Sequence, residues 1–139
     1  MRRIQTEDKE WYILGDICHH LPIDAANEWI EKLHGKKILM KGNHDKKYDP
    51  ALFEEISDFK TVSLNGISFV LMHYPMLSWP KKNSGSIQLH GHIHAREAYN
   101  LQNRDDGIRR YDVGVDANHY FPVSVKQIVE FFSANQNGK

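Results

Sequence analysis

The sequence predicts an α/β fold with a mixed β-sheet core flanked by helices. Three observations favour this class. Short apolar runs end in polar loop residues, an amphipathic helical pattern separates the first two runs, and an Asn65-Gly66 pair joins two later runs. A strand-helix-strand unit gives parallel strands and a tight hairpin gives antiparallel strands, so both kinds of pairing are expected.

The first strand and the first helix follow from short-range patterns. Trp11-Tyr12-Ile13-Leu14 is an aromatic and β-branched run closed by Gly15-Asp16, which predicts a buried strand that ends in a loop. Asp24 is expected to cap a helix that stops at Gly35. The apolar face of this helix has the spacing of successive helical turns and consists of Ala26, Trp29, Ile30 and Leu33.

The second strand is expected at Ile38-Leu39-Met40 and leads into the polar loop Gly42-Asn43-His44-Asp45. Because a strand-helix-strand unit places parallel strands side by side, the carboxyl ends of both strands meet at one edge of the sheet. Asp16 and Asn43 are therefore expected to be neighbours. Asp49-Pro50 then predicts a short helical segment that continues through Phe53 and Ile56.

A hairpin begins the second half of the chain. Residues 61–64 and 67–72 are strand-like runs that flank Asn65-Gly66, and the second run ends at His73. Another strand is expected at residues 86–90, which lead directly into Gly91-His92-Ile93-His94. Polar residues again follow the end of a strand.

The last elements of the chain are a strand and a helix. A turn is expected around residues 104–107, followed by a strand at residues 110–113. Ser124 and Gln127 match a capping box for a helix whose apolar face is formed by Val125, Ile128, Val129 and Phe132. Residues 1–132 are expected to form a single domain, and residues 133–139 a flexible tail.

Composition bounds the possible functions. Of the 139 residues, 40% are hydrophobic, which is enough for one core, and 18 basic residues balance 18 acidic ones. This balance argues against a broad surface for nucleic acid or for an anionic membrane. The chain has no apolar run long enough to span a membrane, no secretory signal pattern, and a single cysteine, Cys18. We therefore expect a cytoplasmic protein without membrane partners.

Four predicted strand ends carry residue types that bind metal ions: Gly15-Asp16, Gly42-Asn43-His44-Asp45, His73, and Gly91-His92-Ile93-His94. If residues 91–94 are extended, His92 and His94 point to the same side. Carboxylate, amide and imidazole ligands suit Mn, Fe, Zn or similar divalent ions, and the lack of thiolates argues against a structural zinc site. The predicted metal ligands are Asp16, Asn43, His73, His92 and His94.

These motifs, in this order and with His73-Tyr74-Pro75 and Gly114-Val115-Asp116, resemble the calcineurin-like metallophosphoesterase family from Tyr12 to about Ile128. The resemblance implies a β-sandwich that hydrolyses a phosphate mono- or diester by a metal-bound hydroxide, acting on a phosphorylated small molecule or a phosphodiester. It implies that Asp16 bridges two ions, that Asn43, His73 and His92 complete one of them, and that His94 binds the other. His44 would protonate the leaving oxygen or stabilise the transition state, with Asp45 orienting it.

One motif of the family is absent. Its first strand usually ends in Asp-x-His, which gives two ligands to the ion that His94 also binds, and no such triplet precedes Asp16. We therefore expect a domain truncated at its N-terminus, with two ions in the family and one firmly held here. The alternative function is a catalytically inactive metal-binding or protein-interaction domain derived from the family. An unpaired sheet edge at the missing strand would then favour a homo-oligomer.

The remaining histidines and Cys18 have competing interpretations. Cys18, His19 and His20 follow Asp16 and could replace the missing ligands, although ordinary packing and exposure are favoured. His34, His90 and His119 are single histidines outside the four strand-end motifs, and a structural role is preferred for them.

Overall fold

The computed structural model describes residues 3–5, 10–15, 21–45, 47–114, 117–118 and 122–137, and it describes only the backbone at 3–5 and 134–137. The described strands form two sheets. The five-stranded sheet has the order β4-β3-β2-β1-β9 and contains β1 (Arg3–Gln5), β2 (Trp11–Ile13), β3 (Lys37–Met40), β4 (Glu55–Ser57) and β9 (Val123–Ser124). The four-stranded sheet has the order β5-β6-β7-β8 and contains β5 (Lys60–Leu64), β6 (Ile67–Leu71), β7 (Ile87–His90) and β8 (Arg110–Asp112).

Helices flank both sheets. The helices are α1 (Ile23–Glu31), α2 (Glu97–Asp105) and α3 (Val125–Asn137), with short 3₁₀ helices at Pro50–Leu52 and Lys82–Ser84. Both sheets combine parallel and antiparallel pairs, because β1-β2 and β5-β6 are antiparallel while β2-β3, β6-β7 and β7-β8 are parallel. The prediction of an α/β fold with mixed sheets and flanking helices is therefore confirmed. None of the helices in the described ranges has both the length and the apolar character needed to cross a membrane.

The alternation of side chains along β2 and β3 divides the core into two parts. Ile13 and Leu39 face α1, where they pack with Ala26 and Ile30 of that helix. Their neighbours along the strands face the other sheet and α3. This larger cluster draws from both sheets and includes Tyr12, Leu14, Ile38, Met40, Phe69, Leu71, Ile87, Leu89, Ile128 and Phe132. The two sheets thus pack as the layers of a sandwich.

The four-stranded sheet has a buried polar face, which α2 covers. Gln88, His90 and Asp112 are each 0% exposed. Asn100 of α2 accepts the Asp112 N–H at 2.8 Å and donates to the Asp112 carbonyl at 3.1 Å. The sequence pattern did not indicate this helix, because its buried residues are Asn100 and Asn103 and it has no apolar stripe. The turn expected around 104–107 is therefore the end of a helix.

Two local predictions are wrong in detail. Pro22 occupies the N-cap of α1, so Asp24 lies in the first turn and does not cap the helix. There its carboxylate faces the positive end of the helix dipole. The helical segment expected from Asp49 ends after one 3₁₀ turn, and Ile56 lies in β4, where it pairs with Leu39 of the parallel strand β3. Sheet pairing outweighs the local helical pattern at this point.

The N-terminal residues cover the sheet edge that was expected to be exposed. β1 pairs with β2 in antiparallel orientation and with β9 in parallel orientation, so the backbone of β2 is paired on both sides. An unpaired edge at β2 is therefore not available to recruit a second chain. At the other end of the chain, α3 continues to Asn137, so residues 133–137 of the expected tail are helical.

Two local predictions, a hairpin turn and a helix cap, are confirmed. Asn65 and Gly66 have φ values of 53° and 78° and join β5 to β6 with Leu64 opposite Ile67, as a type I′ hairpin turn requires. At the start of α3, Ser124 N–H donates to Gln127 Oε1 at 2.8 Å, and Gln127 N–H donates to Ser124 Oγ at 3.1 Å. This reciprocal pair is a capping box.

Replacing Ser124 by alanine is expected to lower the free energy of unfolding by about 1 kcal/mol, since the Gln127 N–H loses its acceptor at the helix start. Urea denaturation followed by tryptophan fluorescence measures this change. Lys126→Ala is the control, because Lys126 is an exposed residue in the first turn of the same helix. An equal loss of stability in both variants would contradict the capping role.

Candidate metal centre

The loops that carry the predicted ligands follow strands of both sheets. Asn43 lies in the loop after β3 of the five-stranded sheet, while His73 and His92 follow β6 and β7 of the four-stranded sheet. The Gly91 N–H donates to the His73 carbonyl at 2.9 Å, which ties the last two loops together. Within each sheet these strands run parallel to a neighbour, so their loops leave from the same edge.

His73 is the centre of the site and is 0% exposed. Its Nδ1 lies 2.7 Å from the Leu14 carbonyl oxygen, which can only accept, so Nδ1 carries the hydrogen. In the neutral ring, Nε2 then carries a lone pair, and this atom lies 3.0 Å from Asn43 Oδ1. The Asn43 Nδ2 lies 3.2 Å from His44 Nε2, which agrees with Oδ1 facing His73. Two acceptor atoms in such proximity favour a cation beside them.

His92 brings a third donor atom to this point. Its Nδ1 lies 3.2 Å from His73 Nε2, and the two rings meet at 70° with their centroids 5.0 Å apart. Nitrogen and oxygen atoms that share one ion at roughly 2.0–2.2 Å lie about 3.0–3.5 Å from each other. The separations of Asn43 Oδ1 and His92 Nδ1 from His73 Nε2 therefore each fit a shared divalent ion.

The backbone around His92 is strained. His92 has a φ of 70°, and the Ile93 N–H donates to the Gly91 carbonyl at 2.9 Å, which together describe a γ-turn with positive φ. Such a conformation costs about 1–3 kcal/mol for a residue other than glycine and persists only where the surroundings enforce it. Here the buried Asp112 carboxylate accepts the N–H groups of Ala95 at 3.1 Å and of Gly114 at 2.7 Å.

This turn corrects the expectation for residues 91–94. The segment is not extended, because His92 and His94 have positive φ values of 70° and 50°. Alternation along a strand therefore does not bring the two side chains to one side. His94 is exposed, whereas His92 is partly buried against His73. The two histidines thus occupy different environments.

Gly15 provides the space that His73 occupies. A Cβ added to Gly15 would lie 2.3 Å from His73 Nδ1 and 2.9 Å from the Cα of Gly42, and Gly15 has a φ of 90°. Both the close approach and the left-handed backbone require glycine at this position. The glycine before Asp16 is therefore part of the site, where the sequence pattern predicted the loop at the end of a strand.

Asp45 fixes the loop that carries Asn43 and His44. Its Oδ2 accepts the Gly42 N–H at 2.7 Å, and its Oδ1 accepts the Tyr48 hydroxyl at 3.0 Å. These contacts close the loop on itself, while His44 remains exposed at its tip. Asp45 can therefore orient His44 through the backbone. A direct role of the carboxylate at the His44 ring stays a prediction.

Several predicted residues lie outside the described ranges. These are Asp16, the three residues Cys18, His19 and His20, and His119. Within the described residues, no three His, Cys, Asp or Glu side chains form a group that could hold a metal ion. The set formed by Asn43, His73 and His92 contains an amide in place of a third such residue. Asp16 as a ligand remains a prediction.

Tyr74 belongs to the site, although the sequence singled it out only as part of His73-Tyr74-Pro75. Its ring stands edge-on to both His73 and His92, with centroid distances of 4.9 and 4.7 Å and interplanar angles of 77° and 65°. His90, by contrast, lies on the buried polar face, where Nδ1 donates to the Gly91 carbonyl and Nε2 accepts from Tyr99. Burial lowers the pKa of His90 to about 4. These contacts agree with the structural role predicted for His90.

Comparison with known proteins adds relatives without a described activity. No family model matches the chain. An uncharacterized protein from Methanocaldococcus jannaschii is 33% identical over 120 residues, which cover 86% of this chain and 63% of that protein. The Gene 66 protein of Mycobacterium phage D29 is 28% identical over 147 residues, covering 84% of this chain and 71% of the phage protein. The chain therefore spans less than two thirds of the first of these relatives.

A solved structure shares the fold. The crystal structure of a protein of unknown function from Aquifex aeolicus superposes with a TM-score of 0.65 at 28% sequence identity. The match covers 89% of this chain and 77% of the other. The arrangement of two mixed sheets with flanking helices is thus found in an experimentally determined protein.

Proposed function

We propose that this chain is a metal-dependent phosphoesterase of the calcineurin-like type, which hydrolyses a phosphate mono- or diester. The observation that carries the proposal is the convergence of three donor atoms from three loops. Asn43 Oδ1 and His92 Nδ1 lie 3.0 and 3.2 Å from His73 Nε2. Imidazole and amide ligands without thiolates suit Mn, Fe, Zn or similar ions.

The ligand roles combine the contacts of the described residues with the family resemblance. Asn43, His73 and His92 would hold one ion, with His73 oriented by its hydrogen bond to the Leu14 carbonyl. Asp16 would bridge to a second ion that His94 also contacts. When bound, such ions supply a coordinated water that ionises near neutral pH and positive charge that clamps the phosphate oxygens. The net charge of the chain is zero. The bound ions would therefore provide the positive charge that attracts the negative charge of a phosphorylated substrate.

His44 is suited to hold the proton that the leaving oxygen receives. His44 is exposed at the tip of its loop. Asn43, the other residue at this tip, directs its Oδ1 toward His73 Nε2. The His44 Nε2 lies 3.2 Å from Asn43 Nδ2, which can only donate, so Nε2 accepts there and Nδ1 would carry the proton for the leaving oxygen. The loop closed by Asp45 restricts its movement. A positioned general acid of this kind accelerates such reactions by about 10²–10⁴-fold.

Manganese binding and turnover test the proposal together. Titration calorimetry with Mn²⁺ on metal-free protein should give at least one tight site per chain. Saturation at about 1,000 times Kd would stabilise the fold by about 4 kcal/mol, which a thermal scan detects. The loaded protein should hydrolyse 4-nitrophenyl phosphate or bis(4-nitrophenyl) phosphate. Asn43→Ala should weaken Mn²⁺ binding by at least about tenfold, as the loss of one ligand implies.

Asn83→Ala is the matched control, since Asn83 is an exposed asparagine in the second 3₁₀ helix. Tight Mn²⁺ binding without turnover of either ester would favour the inactive metal-binding domain over the enzyme. Absence of Mn²⁺ binding in the wild-type chain would refute the metal centre itself.

A further inference from the structure

Three apolar side chains in the loops that follow β6 and β7 are open to solvent. Tyr74 is 37% exposed, Ile93 is 41% exposed and Leu77 is 87% exposed. Tyr74 touches the rings of His73 and His92, and Ile93 directly follows His92 in the chain. Leu77 is three residues from Tyr74, so their Cα atoms are separated by at most about 11 Å. We call these three residues the apolar rim.

The loop that carries Tyr74 and Leu77 is anchored to the four-stranded sheet. The buried Gln88 side chain accepts the Met76 N–H at 3.1 Å and donates to the Tyr74 carbonyl at 3.2 Å. Arg110 donates to the Met76 carbonyl at 3.0 Å, and Lys82 donates to the Leu77 carbonyl at 2.9 Å. The exposed side chains of Tyr74 and Leu77 are thus presented on a backbone that is fixed by several hydrogen bonds. Such preorganisation lowers the entropic cost of binding.

Tyr74 is an aromatic residue that is partly open to solvent beside two of the proposed ligands. The Tyr74 ring makes edge-on contacts with the rings of His73 and His92. More than a third of the residue stays accessible to solvent. An aromatic group of a ligand can stack on the accessible part, and such contacts raise affinity by roughly two- to tenfold. A ligand phosphate held by the proposed ion would place its organic substituent within reach of this ring.

We infer that the apolar rim receives the organic group of the substrate, so the site prefers phosphate esters of aryl or similarly flat apolar alcohols over those of small alkyl alcohols. The inference rests on the proposed phosphoesterase function and names its substrate class. Tyr74 supplies the stacking surface, while Leu77 and Ile93 extend the apolar contact beside it. These residues act on substrate binding and take no part in proton transfer or metal ligation.

Phosphonates test this preference without turnover, since their carbon–phosphorus bond is not an ester. Titration calorimetry on the full chain loaded with Mn²⁺ would compare phenylphosphonate with methylphosphonate. We expect phenylphosphonate to bind about tenfold more tightly. Tyr74→Ala should reduce the ratio of the two affinities to about two, and Leu77→Ser should reduce it by a smaller factor. Tyr74→Phe should preserve the ratio because it keeps the ring.

Phe59→Ala is the control for the loss of an exposed apolar side chain, because Phe59 is 43% exposed in the connection between β4 and β5. The ratio of phenylphosphonate affinity to methylphosphonate affinity in this variant should equal that of the wild type. Mn²⁺ affinity is measured for every variant, so that an effect on the metal centre is distinguished from the loss of an apolar rim residue. Equal affinities of the two phosphonates for the wild-type chain would overturn the inference and leave the phosphoesterase proposal intact. Binding of neither phosphonate, with or without Mn²⁺, would overturn the proposed function as well.

Discussion

Replacing Gly15 by alanine is expected to destabilise the protein by about 2–5 kcal/mol and to abolish tight Mn²⁺ binding. The left-handed backbone at φ 90° accounts for about 1–2 kcal/mol of this loss. The added Cβ would lie 2.3 Å from Nδ1 of the fully buried His73, and overpacking of this kind costs about 1–3 kcal/mol. Urea denaturation and Mn²⁺ titration calorimetry measure the two effects.

Gly85→Ala separates the backbone cost from the steric clash. Gly85 has a φ of 92°, nearly that of Gly15, but no atom lies within 4 Å of the position of an added Cβ. This variant should lose only about 1–2 kcal/mol and should bind Mn²⁺ as the wild type does. If both variants lost the same stability and kept the same Mn²⁺ affinity, the close packing of His73 on Gly15 would have no part in the site.

Replacing His44 by alanine is expected to lower kcat for an aryl phosphate by about 10²–10⁴-fold while Mn²⁺ affinity stays within about twofold of the wild type. The physical reason is that His44 lies beside Asn43 but outside the three converging donor atoms. Steady-state kinetics and metal titration on the same preparation separate the two effects. The effect on kcat should exceed the effect on KM, because proton transfer belongs to the transition state.

His34→Ala is the control for His44→Ala, since His34 is an exposed histidine in the connection between α1 and β3. It should leave both kcat and Mn²⁺ binding unchanged. Unchanged turnover in His44→Ala would exclude His44 as the general acid. A parallel loss of metal and activity would instead assign His44 to the ligand set.

Local patterns predicted much of the fold because the decisive interactions are close in sequence. The Asn65-Gly66 turn and the reciprocal bonds of Ser124 and Gln127 each span at most three residues. Parallel pairing of β2 with β3 followed from the single helix between them. These features depend on turn geometry and capping, which a short sequence window contains.

Other features depend on contacts that a short window does not contain. The helix α2 is buried through asparagines that bond to Asp112 of β8, so its pattern does not resemble an apolar face. β1 is only three residues long, and its place between β2 and β9 depends on residues more than a hundred positions away. The loop after the γ-turn at His92 is bound to Asp112 through the Ala95 N–H, a contact that no periodicity reveals.

The candidate ligands themselves were predicted from their positions after strands, but their spatial relation was only partly foreseen. The expected proximity of Asp16 and Asn43 stays a prediction, because Asp16 lies outside the described residues. The contact that the structure shows, between Asn43 and His73, joins loops of two different sheets. The packing of His73 on Gly15 could not be read from spacing, because it requires the two sheets to face each other.

The three donor atoms come from both layers of the sandwich, and their residues are 30 and 19 positions apart in the chain. An ion held by them would act as a removable cross-link that closes two long loops in the unfolded chain. Cross-links over long loops restrict the unfolded ensemble most strongly, with a cost that grows with the logarithm of loop length. Chelation should therefore loosen the association of the two layers, and amide hydrogen exchange in β3 and β6 should quicken together.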